Sequence, residues 1–236
     1  MRQDRIVLTD VRSDPPITLR HYGCDVRSVA SAGGPLGGDQ TRLDIELTGG
    51  ATLRFTSVAA SVVQPGTHSR VSNADVRLDI DGCLTYAPEP LVVTYGAEHI
   101  SALTANLSGT ATLLLREILV LGREPDAPGT IRSSWSIHLD GRALLVQENA
   151  FGALAPDGWD GPAVLAGTRV VGNLLLVDPG QKSRSLGWRP PDIADCTVMT
   201  LAGPGLLVTS LGHSVAAVRT ALDIATLALM VSGVQW

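Results

Sequence analysis

Gly33-Gly34-Pro35-Leu36-Gly37-Gly38-Asp39 has the glycine density of a loop that cradles phosphate. Such a loop needs Gly-x4-Gly-Lys-Ser/Thr opening a helix, so that backbone N–H groups, the lysine and the helix N-terminus converge on the anion. Asp39 stands where the lysine is needed, and Thr41-Arg42-Leu43-Asp44-Ile45-Glu46-Leu47 alternates polar and apolar as a strand does. The stretch reads as a glycine corner feeding a sheet. Glu117 is the second chemical candidate: in Leu113-Leu114-Leu115-Arg116-Glu117-Ile118-Leu119-Val120-Leu121, strand alternation puts it on one face with Leu113, Leu115, Leu119 and Leu121. A carboxylate there must be paired, be neutralised by a raised pKa, or border a hydrated cavity, because an unpaired buried charge costs on the order of several kcal/mol. Arg123 shares its parity and is the expected partner, with a polar point in a wet interior as the alternative. In Pro88-Glu89-Pro90 the two prolines remove donors and force an extended edge segment that displays Glu89.

Other reactive constellations are thin. No Gly-x-Ser-x-Gly elbow occurs, so nucleophilic catalysis has no motif to rest on. His21, His68, His99, His138 and His213 never form His-x-His or His-x3-His, and His21 with Cys24 is a weak metal pair better read as two separate structural residues. Cys24, Cys83 and Cys196 are odd in number and far apart, which argues for a reducing compartment and, with no signal-peptide stretch after Met1, for the cytoplasm. Lys+Arg 18 against Asp+Glu 23 gives a net charge of −5, and Lys182 is the only lysine, so no basic stripe exists for nucleic acid.

The elements that must hold these residues are mostly strands. Three times an alternating apolar run enters a glycine turn and a second run returns: Leu43 to Leu47 before Gly49-Gly50, Val76 to Ile80 before Asp81-Gly82, and Trp135 to Leu139 before Asp140-Gly141. Asp-Gly and Gly-Gly supply the positive φ of tight turns, so all three read as hairpins. Further strands are expected at 91–95, 101–107, 111–121, 164–177, 197–201 and 206–210, with an exposed loop at 178–192. The spacing is irregular, which suggests stacked sheets rather than a fixed repeat. From Val215, helical spacing of Val218, Leu222, Ala225 and Leu229 predicts one terminal helix, apolar enough on its other face (Ile224, Leu227, Met230, Val231) for burial on two sides. Arg219 and Asp223 near the middle of 215–234 argue against a membrane span. With 236 residues, 44% hydrophobic and no linker, one domain over 1–236 is expected.

Three of these stretches, in this order, resemble signatures of the urease accessory protein family UreD (UreH): the corner Gly33, Gly34, Gly37, Gly38 and Asp39; Ala87-Pro88-Glu89-Pro90, with Ala87 in place of the family's bulkier residue; and Gly122-Arg123 at the end of the leucine-rich strand. The likeness runs from about Arg20 to Phe151, with a weaker echo in the terminal helix. It departs from the family pattern at Thr56 to Pro65, which lacks the usual basic and aromatic residues, and at Glu124 to Gly129. The resemblance implies an all-β, β-helix-like protein of stacked sheets of many short strands with a C-terminal α-helix. It implies a non-enzymatic maturation factor that acts on the urease apoprotein with UreF and, through UreF, UreG, and helps insert nickel. No tightly bound cofactor is implied, only transient nickel, for which Asp39, Glu89 and Glu117 are candidate path residues. The competing readings are a β-sandwich or β-solenoid module for a ligand such as carbohydrate, needing exposed aromatic platforms among Trp135, Trp159, Trp188 and Trp236, and a β-rich hydrolase, needing a convergent acid and base.

Overall fold

Strands dominate the computed structural model, which describes residues 8–123, 125–180 and 195–231. In chain order they are β1 (Ile17–Tyr22), β2 (Asp25–Ala30), β3 (Gln40–Ser57), β4 (Ser61–Val63), β5 (Val71–Tyr86), β6 (Leu91–Val93), β7 (Glu98–Leu107), β8 (Thr112–Leu121), β9 (Thr130–Leu139), β10 (Arg142–Phe151), β11 (Val170–Val177), β12 (Asp195–Thr200) and β13 (Gly205–Gly212), followed by the helix α1 (Val215–Val231).

The central strands wind as a β-helix. Gln40–Leu47 of β3 pairs in parallel with Asn73–Ile80 of β5, β5 with β7, and β7 with β9, forming a first wall. The second halves of β3 and β5 and the start of β8 form a second wall, also parallel, which β11, β13 and β12 extend in antiparallel fashion. A small third wall is made by β4, β6 and the end of β8. Val71 pairs with Glu98 and Glu98 with Thr130, so successive coils differ in length, in keeping with the irregular spacing of the sequence.

This architecture corrects two of the three expected hairpins. Gly49-Gly50 and Asp81-Gly82 are corners at which a coil passes from the first wall to the second; Gly49 and Gly50 have positive φ, and a Cβ on Gly82 would lie 2.2 Å from the Ala51 carbonyl oxygen of the coil beneath. Only Asp140-Gly141 closes a hairpin, joining β9 to β10. The expected strand at 164–177 begins only at Val170, because Ala166 and Gly167 turn the chain with positive φ. A hairpin of β1 and β2 about Gly23 adds two strands absent from the sequence reading. Of the expected loop at 178–192, everything past Gly180 lies outside the described residues.

Period-two alternation fills the interior. One cluster holds Leu78, Leu84, Leu113, Leu115, Trp135, Ile137 and Leu175; a second holds Val63, Val93, Leu119, Leu121, Ile131, Phe151 and Val171. Helix α1 covers the outer face of β8, β11 and β13, packing Val218, Leu222 and Ala225 on Leu114, Ile118, Leu174 and Val208. Ser214 caps it, its Oγ accepting from the Ala217 N–H at 3.2 Å. Close approach is possible because Gly172 lies beneath: a Cβ there would come within 2.4 Å of Val218 Cγ1. On its other face Leu227 is 60% exposed and Ile224 half-buried, so the chain itself covers that face only in part; the side chains of Met230 and Val231 lie outside the described residues. No helix among the described residues is long and apolar enough to cross a membrane.

Candidate functional site

Glu117 does share a strand face with four leucines, and the structure shows what lies between them. Leu113 and Leu115 belong to the first interior cluster and Leu119 and Leu121 to the second, so Glu117 falls in the gap. Two walls bring polar residues to it. Across β8 and β11 Glu117 pairs with Asn173, Asn173 with Thr209 of β13, and Thr209 with Thr197 of β12, one row of polar residues running to the sheet edge. From the first wall come Ser133, Ser101, His99 and Ser72, which share the inward parity of Trp135 and Leu103. Ser133 Oγ donates to Glu117 Oε1 at 2.6 Å, and Thr209 Oγ1 donates to Asn173 Oδ1 at 3.1 Å.

The expected partner of Glu117 is therefore corrected. Gly122, with φ +84, turns the chain out of β8 before Arg123, whose side chain is exposed; among the described residues Arg123 makes no ion pair with Glu117. Glu117 Oε2, Asn173 Nδ2 and Ser101 Oγ are buried without a hydrogen-bond partner. Burial pushes the Glu117 carboxyl up to about pKa 7, opposed first by the Ser133 hydrogen bond and then by the nearby polar groups of Asn173 and Trp135, which favour the charged form without meeting hydrogen-bond geometry. The side chain keeps some accessible surface because it borders a cavity. Tyr86 is raised well above the usual phenol range, first by burial and then by Glu117. His99 is depressed to about 4 by burial alone, so its ring is neutral at physiological pH, and its Nδ1 lies 2.9 Å from Ser72 Oγ.

A cavity of about 490 Å³ opens onto this stratum, and Asp39, Tyr86, Glu89, His99, Glu117 and Ser133 are among its walls. The three carboxylates singled out from sequence thus line one space. They are differently engaged. Asp39 closes the glycine corner, its Oδ2 accepting from the Leu36 N–H at 2.8 Å and its carbonyl from Asn73 N–H at 2.9 Å. Gly37 and Gly66 cross so closely that a Cβ on Gly37 would lie 2.0 Å from the Ser69 carbonyl oxygen; Gly34 and Gly38 have positive φ, while Gly33 faces open space. Glu89 is gripped by Arg219 of α1, with Nη2 to Oε2 at 2.6 Å and Nη1 to Oε1 at 3.2 Å. The Ala87-to-Pro90 segment is not at a free edge: the Ala87 N–H bonds the Phe55 carbonyl and the Glu89 N–H bonds Ser57 Oγ.

The remaining sequence candidates stay apart. His21 lies in β1 and Cys24 in the turn that follows, and the described residues hold no cluster of three or more metal-ligating side chains. Trp135 is interior at 3% exposed and Trp159 packs edge-on against Phe151, so neither offers a flat sugar platform; Trp188 and Trp236 lie outside the described residues. Sequence reasoning missed Ser72, Ser101, Ser133 and Asn173. The signal was there: Ser133 alternates with Ile131, Trp135 and Ile137, and Asn173 with Val171, Leu175 and Val177.

A family model described as UreD urease accessory protein matches residues 2–233. The chain is 38% identical over 229 residues to urease accessory protein UreD 2 of Saccharopolyspora erythraea, covering 92% of this chain and 80% of that protein. It is 38% identical over 224 residues to urease accessory protein UreD of Streptomyces coelicolor (92% and 88%) and 37% identical over 232 residues to UreD 3 of Streptomyces griseus (94% and 90%). The match extends the three-signature likeness at both ends, taking in β1 and the terminal helix, and the chain belongs to the UreD urease accessory protein family.

Proposed function

We propose that this chain is a cytoplasmic, non-enzymatic chaperone of urease maturation that docks on the urease apoprotein, joins UreF and through it UreG, and conducts nickel through its interior toward the urease active site. Family membership supports the urease role. The observation that carries the nickel role is the cavity of about 490 Å³ that joins Asp39 at the glycine corner to Glu117 in the polar stratum. A cargo ion needs ligands that hold it weakly enough to release it, and isolated carboxylates, hydroxyls and water meet that need better than a closed cage of four strong donors. Energy from nucleotide is assigned to UreG, since Asp39 is tied to the Leu36 N–H and no lysine stands at the corner.

A deletion strain is expected to make urease protein in normal amount but poor in nickel. Complementation with Glu117→Gln is expected to restore binding of the urease apoprotein and UreF while leaving nickel content low. Normal nickel content in the deletion strain refutes the maturation role; normal content with the Gln variant refutes the path through Glu117.

A further inference from the structure

His99 was unremarkable in sequence, yet it is the one imidazole in the polar stratum, 2% exposed and on the cavity wall. Its tautomer follows from Ser72. The Ser72 hydroxyl has one proton, and Glu98 O at 3.5 Å gives it an outlet, so we assign the proton of the 2.9 Å Ser72–His99 contact to Nδ1. Nε2 then carries the free lone pair, and it is the ring nitrogen left for the cavity. Holding one imidazole nitrogen by a polar partner, so that the other is aimed and basic, is how proteins prepare a histidine to bind metal. Ser133, whose hydroxyl bonds Glu117, lies one inward step along β9 from Ile131, the register partner of His99.

Resting on the reading of the chain as a nickel carrier, we infer that His99 Nε2 and a carboxylate oxygen of Glu117 form a two-ligand waypoint for a divalent transition-metal ion, the other coordination positions being filled by water. Glu117 Oε2 is buried and makes no hydrogen bond, so it can ligate without breaking the Ser133 bond to Oε1. One neutral imidazole and one carboxylate favour nickel over the hard ions magnesium and calcium, which prefer all-oxygen sites. Two protein ligands leave the ion exchangeable, as a transit site requires.

The test uses the purified full-length chain with Ni²⁺ alone. Competition with a chromogenic chelator is expected to give one weak equivalent, and nickel X-ray absorption is expected to show scattering from a single imidazole. His99→Asn keeps an amide N–H at the position of Nδ1 for Ser72 but lacks Nε2; it should lose the imidazole signature and bind at least tenfold more weakly. If that variant fails to fold, the wild-type chain labelled with ¹³C-histidine answers the same question. The His99 resonance, assigned through its proximity to the Ser72 and Ile131 side chains, should broaden first on adding paramagnetic Ni²⁺. No binding at millimolar Ni²⁺, an imidazole signature that persists in His99→Asn, or first broadening at another histidine each overturns the waypoint. None of these outcomes touches the maturation role, which is judged separately by the nickel content of urease in the deletion strain.

Discussion

Replacing Glu117 by glutamine keeps the shape of the side chain and removes its proton equilibrium. In the folded chain burial holds the carboxyl at about pKa 7, against 4.5 for a free glutamate. A raised pKa means the native state binds the proton more tightly than the unfolded chain, so the stability it brings is complete below about pH 4.5 and is withdrawn as pH climbs through 7. The interval of 2.5 between those two values, at about 1.4 kcal/mol each, corresponds to at most about 3.5 kcal/mol, an upper limit because cavity water screens the charge. Urea denaturation of the wild-type and Glu117→Gln proteins, run side by side from pH 4 to 8.5, isolates this effect. The depressed pKa of His99 acts in the opposite sense, withdrawing stability as pH falls from about 6.5 toward 4, and cancels in the difference. The glutamine variant should gain on the wild type steadily between pH 4.5 and 7.5, to a plateau of about 2–3 kcal/mol, with unchanged denaturant slope. An ion pair between Glu117 and Arg123 would give the opposite result, a loss of about 3 kcal/mol or more at neutral pH. A pH-independent difference, or a variant less stable at pH 8, refutes the description of Glu117 as a buried, unpaired acid.

Gly37→Val should abolish soluble expression, because its Cβ would meet the backbone of Ser69 and Gly66 at 2.0 and 2.6 Å, whereas Gly33→Ala, with nothing within 4 Å, should express as the wild type; equal yields would dismiss the crossing at Gly37. Glu89→Gln should weaken the tie between the Pro88–Pro90 corner and α1 by about 1 kcal/mol, a modest figure since Arg219 and Glu89 are about one-third exposed, and the loss should shrink in high salt; a salt-independent loss in thermal unfolding would argue against the ion pair.

How far the sequence could be read depended on the range of the interaction concerned. Helix α1 was legible because Val218, Leu222 and Ala225 follow one period, and the face shared by Glu117 and its leucines was legible because alternation is a property of one strand. The direction of strand pairing was not. Gly49-Gly50 and Asp81-Gly82 announce positive φ and a change of direction, and those needs are the same at a hairpin and at a β-helix corner; what separates them is the partner coil some thirty residues away. The partner of Glu117 failed for a related reason, as parity persists only while the strand does, and Gly122 ends it one residue before Arg123. Ser133, Asn173 and His99 were isolated polar residues in three different strands until parallel and antiparallel registers stacked them at one level.

That level has a mechanical consequence. Hydrocarbon is discontinuous across the coil, in the direction of its strands: the cluster around Leu84 and Leu113 and the cluster around Val93 and Leu121 are divided by hydroxyls, amides and an acid. Cooperative unfolding follows contiguous burial, so the two compartments can loosen independently. The compartment bounded by β4 and β6, strands of only three residues each, has the weaker frame, and Leu91 of β6 is itself part of the cavity wall. Breathing of that end would widen or pinch the cavity that Glu117 borders while the large parallel walls and the helix that braces them stay intact.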